Sequence, residues 1–282
     1  MRTMFKTMLV LAIAATLTTD LQAQGLKMPQ PSSSQTITQE FGLGKITLSY
    51  SRPNVKGRKI FGELEPYGSV WRTGANSATV ITFTESVKIG DKELTAGDYG
   101  LFTIPGKEEW TVIFNKGAKQ WGAYEYKASD DVLRIKVKPV KLKDKVETFT
   151  IQFTNVFPTS AQLQLMWENT ALNLDLTTEV DATVMASIDE AMKGEKKPYF
   201  QAAQYYYAND KDLNKALEWA TTADAGNTKA PWIKLLKGRI QLKKGDKAAA
   251  VKTATEGLQI ATEIKNPEYI RLHTALLNEA KK

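Results

Sequence analysis

The spacing of apolar residues changes once along this chain, near Thr178, from every second residue to every third or fourth. A period of two lines one face of a strand and a period near 3.6 lines one face of a helix, so the two stretches belong to different layers. Before Thr178, Ile81, Phe83, Val87 and Ile89 alternate with polar residues, and Gly90-Asp91 is placed for a tight turn. Leu133, Ile135 and Val137 alternate with Arg134, Lys136 and Lys138; Phe149, Ile151 and Phe153 alternate with Thr150 and Gln152. Leu163, Leu165 and Trp167 repeat the pattern, as do Leu172, Leu174 and Leu176. Turn chemistry separates the runs at Ala96-Gly97-Asp98, Pro105-Gly106, Asn115-Lys116-Gly117 and Lys143-Asp144-Lys145. Many short strands with one apolar face bury it by pairing two sheets or closing a barrel. An antiparallel β-sandwich over residues 37–178 is expected, preceded by an extended Pro/Ser-rich leader over 24–36.

Beyond Thr178, Val184, Ile188 and Met192 share one helical face and Gly194 is placed to end that helix. After Pro198 the sequence repeats itself at an offset of 34: Asp212 matches Asp246, Ala216-Leu217 matches Ala250-Val251, and Ala220 matches Ala254. That is the spacing of tetratricopeptide helix pairs, in which small residues let two helices approach closely. Gly238 and Gly245 fit the pattern in the second unit, whereas Gln204 and Lys211 replace glycines in the first. Pro267 starts a last helix with Tyr269, Leu272, Leu276 and Leu277. So short an array is marginal alone, and residues 179–282 are expected to pack on their flanking helices or on the β-domain. Tyr205-Tyr206-Tyr207 should send one ring to the core and one to a groove. The lone His273 reads as a packing or surface residue.

Arg2 and Lys6 precede an apolar run from Met8 to Leu17, and Ala23 offers a small residue for cleavage. This is the layout of a secretory signal peptide over 1–23, too short to span a bilayer of ~30 Å. A periplasmic or secreted protein is expected, with no lipid anchor because no cysteine follows. The chain has no Cys and one His, which removes disulfides, thiol nucleophiles, Cys-ligated zinc and paired-histidine metal motifs. No nucleotide loop is present, and Asp130-Asp131 is too local to argue a calcium site. No cofactor and no metal are expected. Net charge is +7, without a basic block interleaved with aromatics, so no nucleic-acid partner is expected. Arg134, Lys136 and Lys138 read as a solvated strand face.

One segment is unusually dense: Ser51-Arg52-Pro53, Lys56-Gly57-Arg58, Pro66-Tyr67-Gly68 and Val70-Trp71-Arg72-Thr73-Gly74-Ala75-Asn76. It is followed by Gly97-Asp98-Tyr99-Gly100, Glu109-Trp110, Trp121-Gly122-Ala123-Tyr124 and Trp167-Glu168. These motifs resemble a family of exported bacterial proteins known as a domain of unknown function (DUF2911). The resemblance covers about 35–178, and the family's longer members carry a helical tail. It implies a secreted β-rich domain and transfers no catalytic residue.

The ligand-binding candidates are therefore argued from chemistry: Arg52, Arg58, Tyr67, Trp71, Arg72 and Asn76, with Trp121 and Tyr124 beside Gly122. Arginine forks suit carboxylate, phosphate or sulfate, and aromatics with amide and arginine partners suit a sugar face. The same arginines also serve to tie loops to backbone carbonyls or to carboxylates such as Glu63, Glu109 or Glu168. The expected function is a noncatalytic exported module that binds a glycan or anionic ligand, with residues 198–282 offered to a protein partner. The alternatives are a glycan hydrolase using Glu109 with Glu168, and an envelope scaffold.

Overall fold

The computed structural model describes residues 28–282. The expected signal peptide and the cleavage after Ala23 lie outside the described residues. The chain divides between Thr178 and Glu179 into two compact units, the first built of antiparallel sheets and the second of helices.

In the first unit, strands β1 (Ser33–Phe41), β2 (Gly44–Arg52), β3 (Thr79–Phe83), β6 (Gly97–Ile104), β7 (Trp110–Asn115) and β8 (Asp131–Val137) form a six-stranded sheet in the order β1-β2-β3-β6-β7-β8. Strands β4 (Val87–Ile89), β5 (Lys92–Leu94), β9 (Val140–Thr154) and β10 (Ser160–Thr177) form a four-stranded sheet in the order β5-β4-β10-β9. Inward side chains of both sheets share one core, including Leu48, Ile81 and Leu101 from the first and Phe149, Leu163 and Leu174 from the second. The alternation explains why: β3 buries Thr79, Ile81 and Phe83 and leaves Val80 and Thr82 half-buried. At one end, Trp71 and Trp167 stack at 5.6 Å, with Phe61 and Phe149 set at an angle against them and Trp110 edge-on to Phe61. Such offset and edge contacts suit the charge distribution of aromatic rings.

Three local readings need correction. The leader expected to run to residue 36 already contains strand: β1 starts at Ser33 and pairs with β2 from Ser33↔Arg52 to Phe41↔Gly44. Serine and threonine there still make a strand because they pair across it, as Thr36 Oγ1 does with Ser49 Oγ at 2.9 Å. Lys143-Asp144-Lys145 does not reverse the chain. It lies within β9, where Val146 pairs with Glu168 and Lys141 with Thr170, so β9 accommodates its surplus residues as a bulge and leaves the three charges exposed. The two apolar runs around 163–176 form one strand. Leu163, Leu165 and Trp167 are odd-numbered and Leu172, Leu174 and Leu176 even, and an irregularity at Glu168 (φ 54°) turns the later set back to the same core.

The second unit comprises α1 (Asp181–Ala191), α2 (Tyr199–Ala208), α3 (Leu213–Gly226), α4 (Pro231–Lys243), α5 (Lys247–Glu263) and α6 (Pro267–Ala280). The 34-residue offset is visible as structure. Asp212 caps α3 by accepting from Asn214 N at 2.8 Å, and Asp246 caps α5 by accepting from Ala249 N at 3.0 Å. Ala216, Ala220, Ala250 and Ala254 are all fully buried. Flanking helices cover the array: Val184 and Ile188 of α1, with Met192 at its C-terminal cap, pack with Tyr206 and Trp219, and Leu276 and Leu277 of α6 pack with Leu235 and Ala254. A Cβ on Gly257 would lie 2.1 Å from the His273 ring, so α5 and α6 close only because that position is glycine.

Candidate functional site

The residues between β2 and β3 form no regular strand, yet they are tied down closely. Gly62 N donates to Glu65 O at 2.9 Å and Glu65 N to Ile60 O at 3.0 Å, forming a tight turn whose Phe61 ring enters the core. Trp71 exchanges backbone hydrogen bonds with Thr103 of β6 at 2.7 and 2.9 Å, which adds residues 70–72 to the sheet as a short bridge. Alternation at that bridge sends the Trp71 indole into the core and leaves Val70 and Arg72 half-buried. The loop after β7 is fixed next to it: Ala78 N donates to Gln120 O and Gly122 N to Asn76 O, both at 3.0 Å. Its far end is anchored by Tyr126, whose hydroxyl donates to Asp131 Oδ2 at 2.7 Å.

Between these segments lies a cavity of about 450 Å³ lined by Leu64, Glu65, Val70, Trp71, Arg72, Ala123 and Tyr124. Gly122 turns the chain beside it, with φ at 67°. A Cβ there would sit 2.8 Å from the Tyr124 ring and 3.2 Å from Arg72 Nη1, so both groups converge on the space a side chain would fill. Arg72 Nε is buried and has no hydrogen-bond partner. Burial pushes the Glu65 carboxyl up to about 7, against the opposing pull of the Arg72 and Arg58 charges. Tyr124 and Trp121 stand out into solvent, at 83% and 62% exposure.

Of the expected ligand residues, the structure brings Arg72 and Tyr124 together in this cavity, with Trp121 on the same loop as Tyr124. Trp71 forms the wall from the core side, its indole nitrogen donating to Gly74 O at 3.0 Å. Arg52 is committed elsewhere, to Phe149 O at 3.1 Å and Thr150 Oγ1 at 2.7 Å. Arg58 closes its own turn through Val55 O and Asn54 O at 3.0 and 2.6 Å. Asn76 donates to Ser32 O and Ser51 Oγ, both at 3.3 Å. Tyr67 lies against Gly62 and is half exposed. Glu63 pairs with Lys59 and Glu109 with Lys136, while Glu168 occupies the β10 irregularity. The acid that does share the cavity, Glu65, carries no sequence signal beyond its place in the dense segment. Among the described residues no group of three or more His, Asp or Glu side chains is placed to hold a metal ion.

Residues 32–176 match the family model described as "Protein of unknown function (DUF2911)", just over half of the chain. The chain belongs to this family. All residues of the cavity fall within the DUF2911 match, and the helical unit lies beyond it. No curated protein and no solved structure matches the chain.

Proposed function

We propose that the DUF2911 domain is a noncatalytic saccharide-binding module of an exported protein, and that the helical unit serves as its protein-docking part. The observation that carries the reading is that Arg72 and Glu65 line one cavity together with the Trp71 wall and the exposed ring of Tyr124, with exposed Trp121 on the same loop. A sugar presents a C–H face that stacks on aromatic rings and an edge of hydroxyls that both donate and accept. Arginine supplies the donors and a carboxyl the acceptor. The cavity is lined by a single carboxyl, whereas glycoside hydrolysis ordinarily uses two acids across the scissile bond, which favours binding over cleavage. Arg72, whose side chain makes no hydrogen bond within the protein, supports a second reading, a simple anion held by the guanidinium alone.

In the helical unit a groove of about 330 Å³ runs between α2, α4 and α6, with Tyr207, Trp232, Arg239 and Tyr269 among its walls. Its position on the 34-residue hairpins supports a tetratricopeptide-like docking role. Thermal-shift titration of residues 24–282 with a glycan panel and with inorganic anions tests the binding reading. A ligand at ~100 times its dissociation constant stabilises by roughly 2.7 kcal/mol. Arg72→Ala and Trp121→Ala are expected to abolish the saccharide shift, and deletion of 181–282 to leave it intact. Undiminished binding in both folded point variants removes the ligand from this cavity.

A further inference from the structure

Arg72 and Glu65 share the cavity without forming an ion pair with each other. Arg72 spends no side-chain hydrogen bond on the protein, and with its Nε buried the two Nη groups are the ones open to a ligand. A neutral hydroxyl meets one arginine N–H, whereas a carboxylate accepts from both Nη groups together. Resting on the saccharide reading above, we propose that the cavity selects a sugar bearing a carboxylate, a uronate, held by Arg72, with the Glu65 carboxyl that lines the same space as the group that opposes it.

The charges around Glu65 fit this role. Arg72 lines the cavity with it, Arg58 acts from its own turn, and of the titratable groups on the facing loop, among them Lys119, Glu125, Tyr126 and Lys127, Tyr124 is the one that lines the cavity. Lys59 and Glu63, also on the Glu65 turn, pair with each other in solvent. Desolvation keeps Glu65 protonated up to about 7, so below that the cavity holds one cation and no anion. Above it, Glu65 supplies the negative charge that Arg72 otherwise takes from the ligand. A uronate ionises near the range of an α-carboxyl, about 3.5, and stays charged throughout. The pH dependence of binding is then a property of Glu65.

The test is calorimetric titration of the full chain with a galacturonic acid disaccharide and with its uncharged amide, at about pH 5.5 and about pH 8.5. The acid is expected to bind about tenfold or more weakly at the higher pH, the amide nearly equally at both, and Glu65→Gln to bind the acid equally at both. Binding of the acid that does not weaken with pH, or that still weakens in Glu65→Gln, overturns the inference and leaves the saccharide reading standing. No binding of either sugar at either pH overturns both. Because linkage is reciprocal, a measurement on the unmutated protein is independent of how the variant folds: saturating acid must raise the midpoint of the Glu65 carboxyl carbon signal by about one pH unit. A midpoint that does not move also overturns the inference.

Discussion

Glu65 and His273 are both ionisable groups pressed by burial towards their neutral forms, one in each unit, and their consequences for stability run in opposite directions. Glu65 is raised to about 7, so between its ordinary value near 4.5 and 7 the folded chain holds a proton that the unfolded chain has released. Its contribution is present at acid pH and is lost as pH rises through 7, with a magnitude up to about 3 kcal/mol. His273 is fully buried, its Nε2 bonded to Pro231 O at 2.9 Å and its Nδ1 without a partner, and burial lowers it. Below about pH 6.5 the unfolded chain binds the proton that the folded chain refuses, so the helical unit weakens as pH falls. Urea melts between about pH 5 and pH 8 should show the alkaline loss flattened in Glu65→Gln and the acid loss flattened in His273→Gln. Unchanged slopes in the variants would show that other groups set the profile. The same two residues mark how far sequence reaches at this scale. Arg72 and Tyr124 were legible as ligand chemistry, and Trp121 as a loop aromatic. Arg52, Arg58 and Asn76 have the same composition signal, yet each is consumed by a neighbouring backbone or hydroxyl group. Glu65 was invisible because its cavity is closed in part by Ala123 and Tyr124, more than fifty positions away.

Elements were easier to read than residues wherever a period survived uninterrupted. The 34-residue offset matched Asp212 with Asp246, and the structure makes both of them caps, which carry a measurable energy. Asp212→Ala and Asp246→Ala should each cost the helical unit about 1 kcal/mol in urea unfolding. The two losses should add, since the caps serve separate helices and share no partner. A double variant much less destabilised than the sum would show that the hairpins are not independent. Strands β9 and β10 show where period reading stops. The shift from odd to even apolar positions is plain in the sequence between Trp167 and Leu172, but it does not say whether the chain turns or bulges. Glu168, at φ 54°, resolves it within one strand. Lys143-Asp144-Lys145 likewise has turn composition, and long pairing with β10 holds it in a bulge instead.

At the scale of the whole molecule, the change of period near Thr178 coincides with a division between units that bury separate cores. Each should therefore fold by itself. Fragments 28–178 and 179–282 are expected to give cooperative melts with sheet-like and helix-like circular dichroism respectively, and a fragment that melts without cooperativity would show that its core is incomplete. One edge of each sheet is guarded as well. Outer strand β8 carries Arg134, paired with Asp131 at 3.2 Å, and Lys136, paired with Glu109, while β9 exposes its lysines. Such charges oppose the addition of a further strand from another chain. With Glu65 in one unit and His273 in the other, acidity redistributes robustness inside a single polypeptide. Acid favours survival of the sheet half under a protease and alkali favours survival of the helical half, so the fragment that outlasts digestion becomes a record of the acidity in which the protein was held.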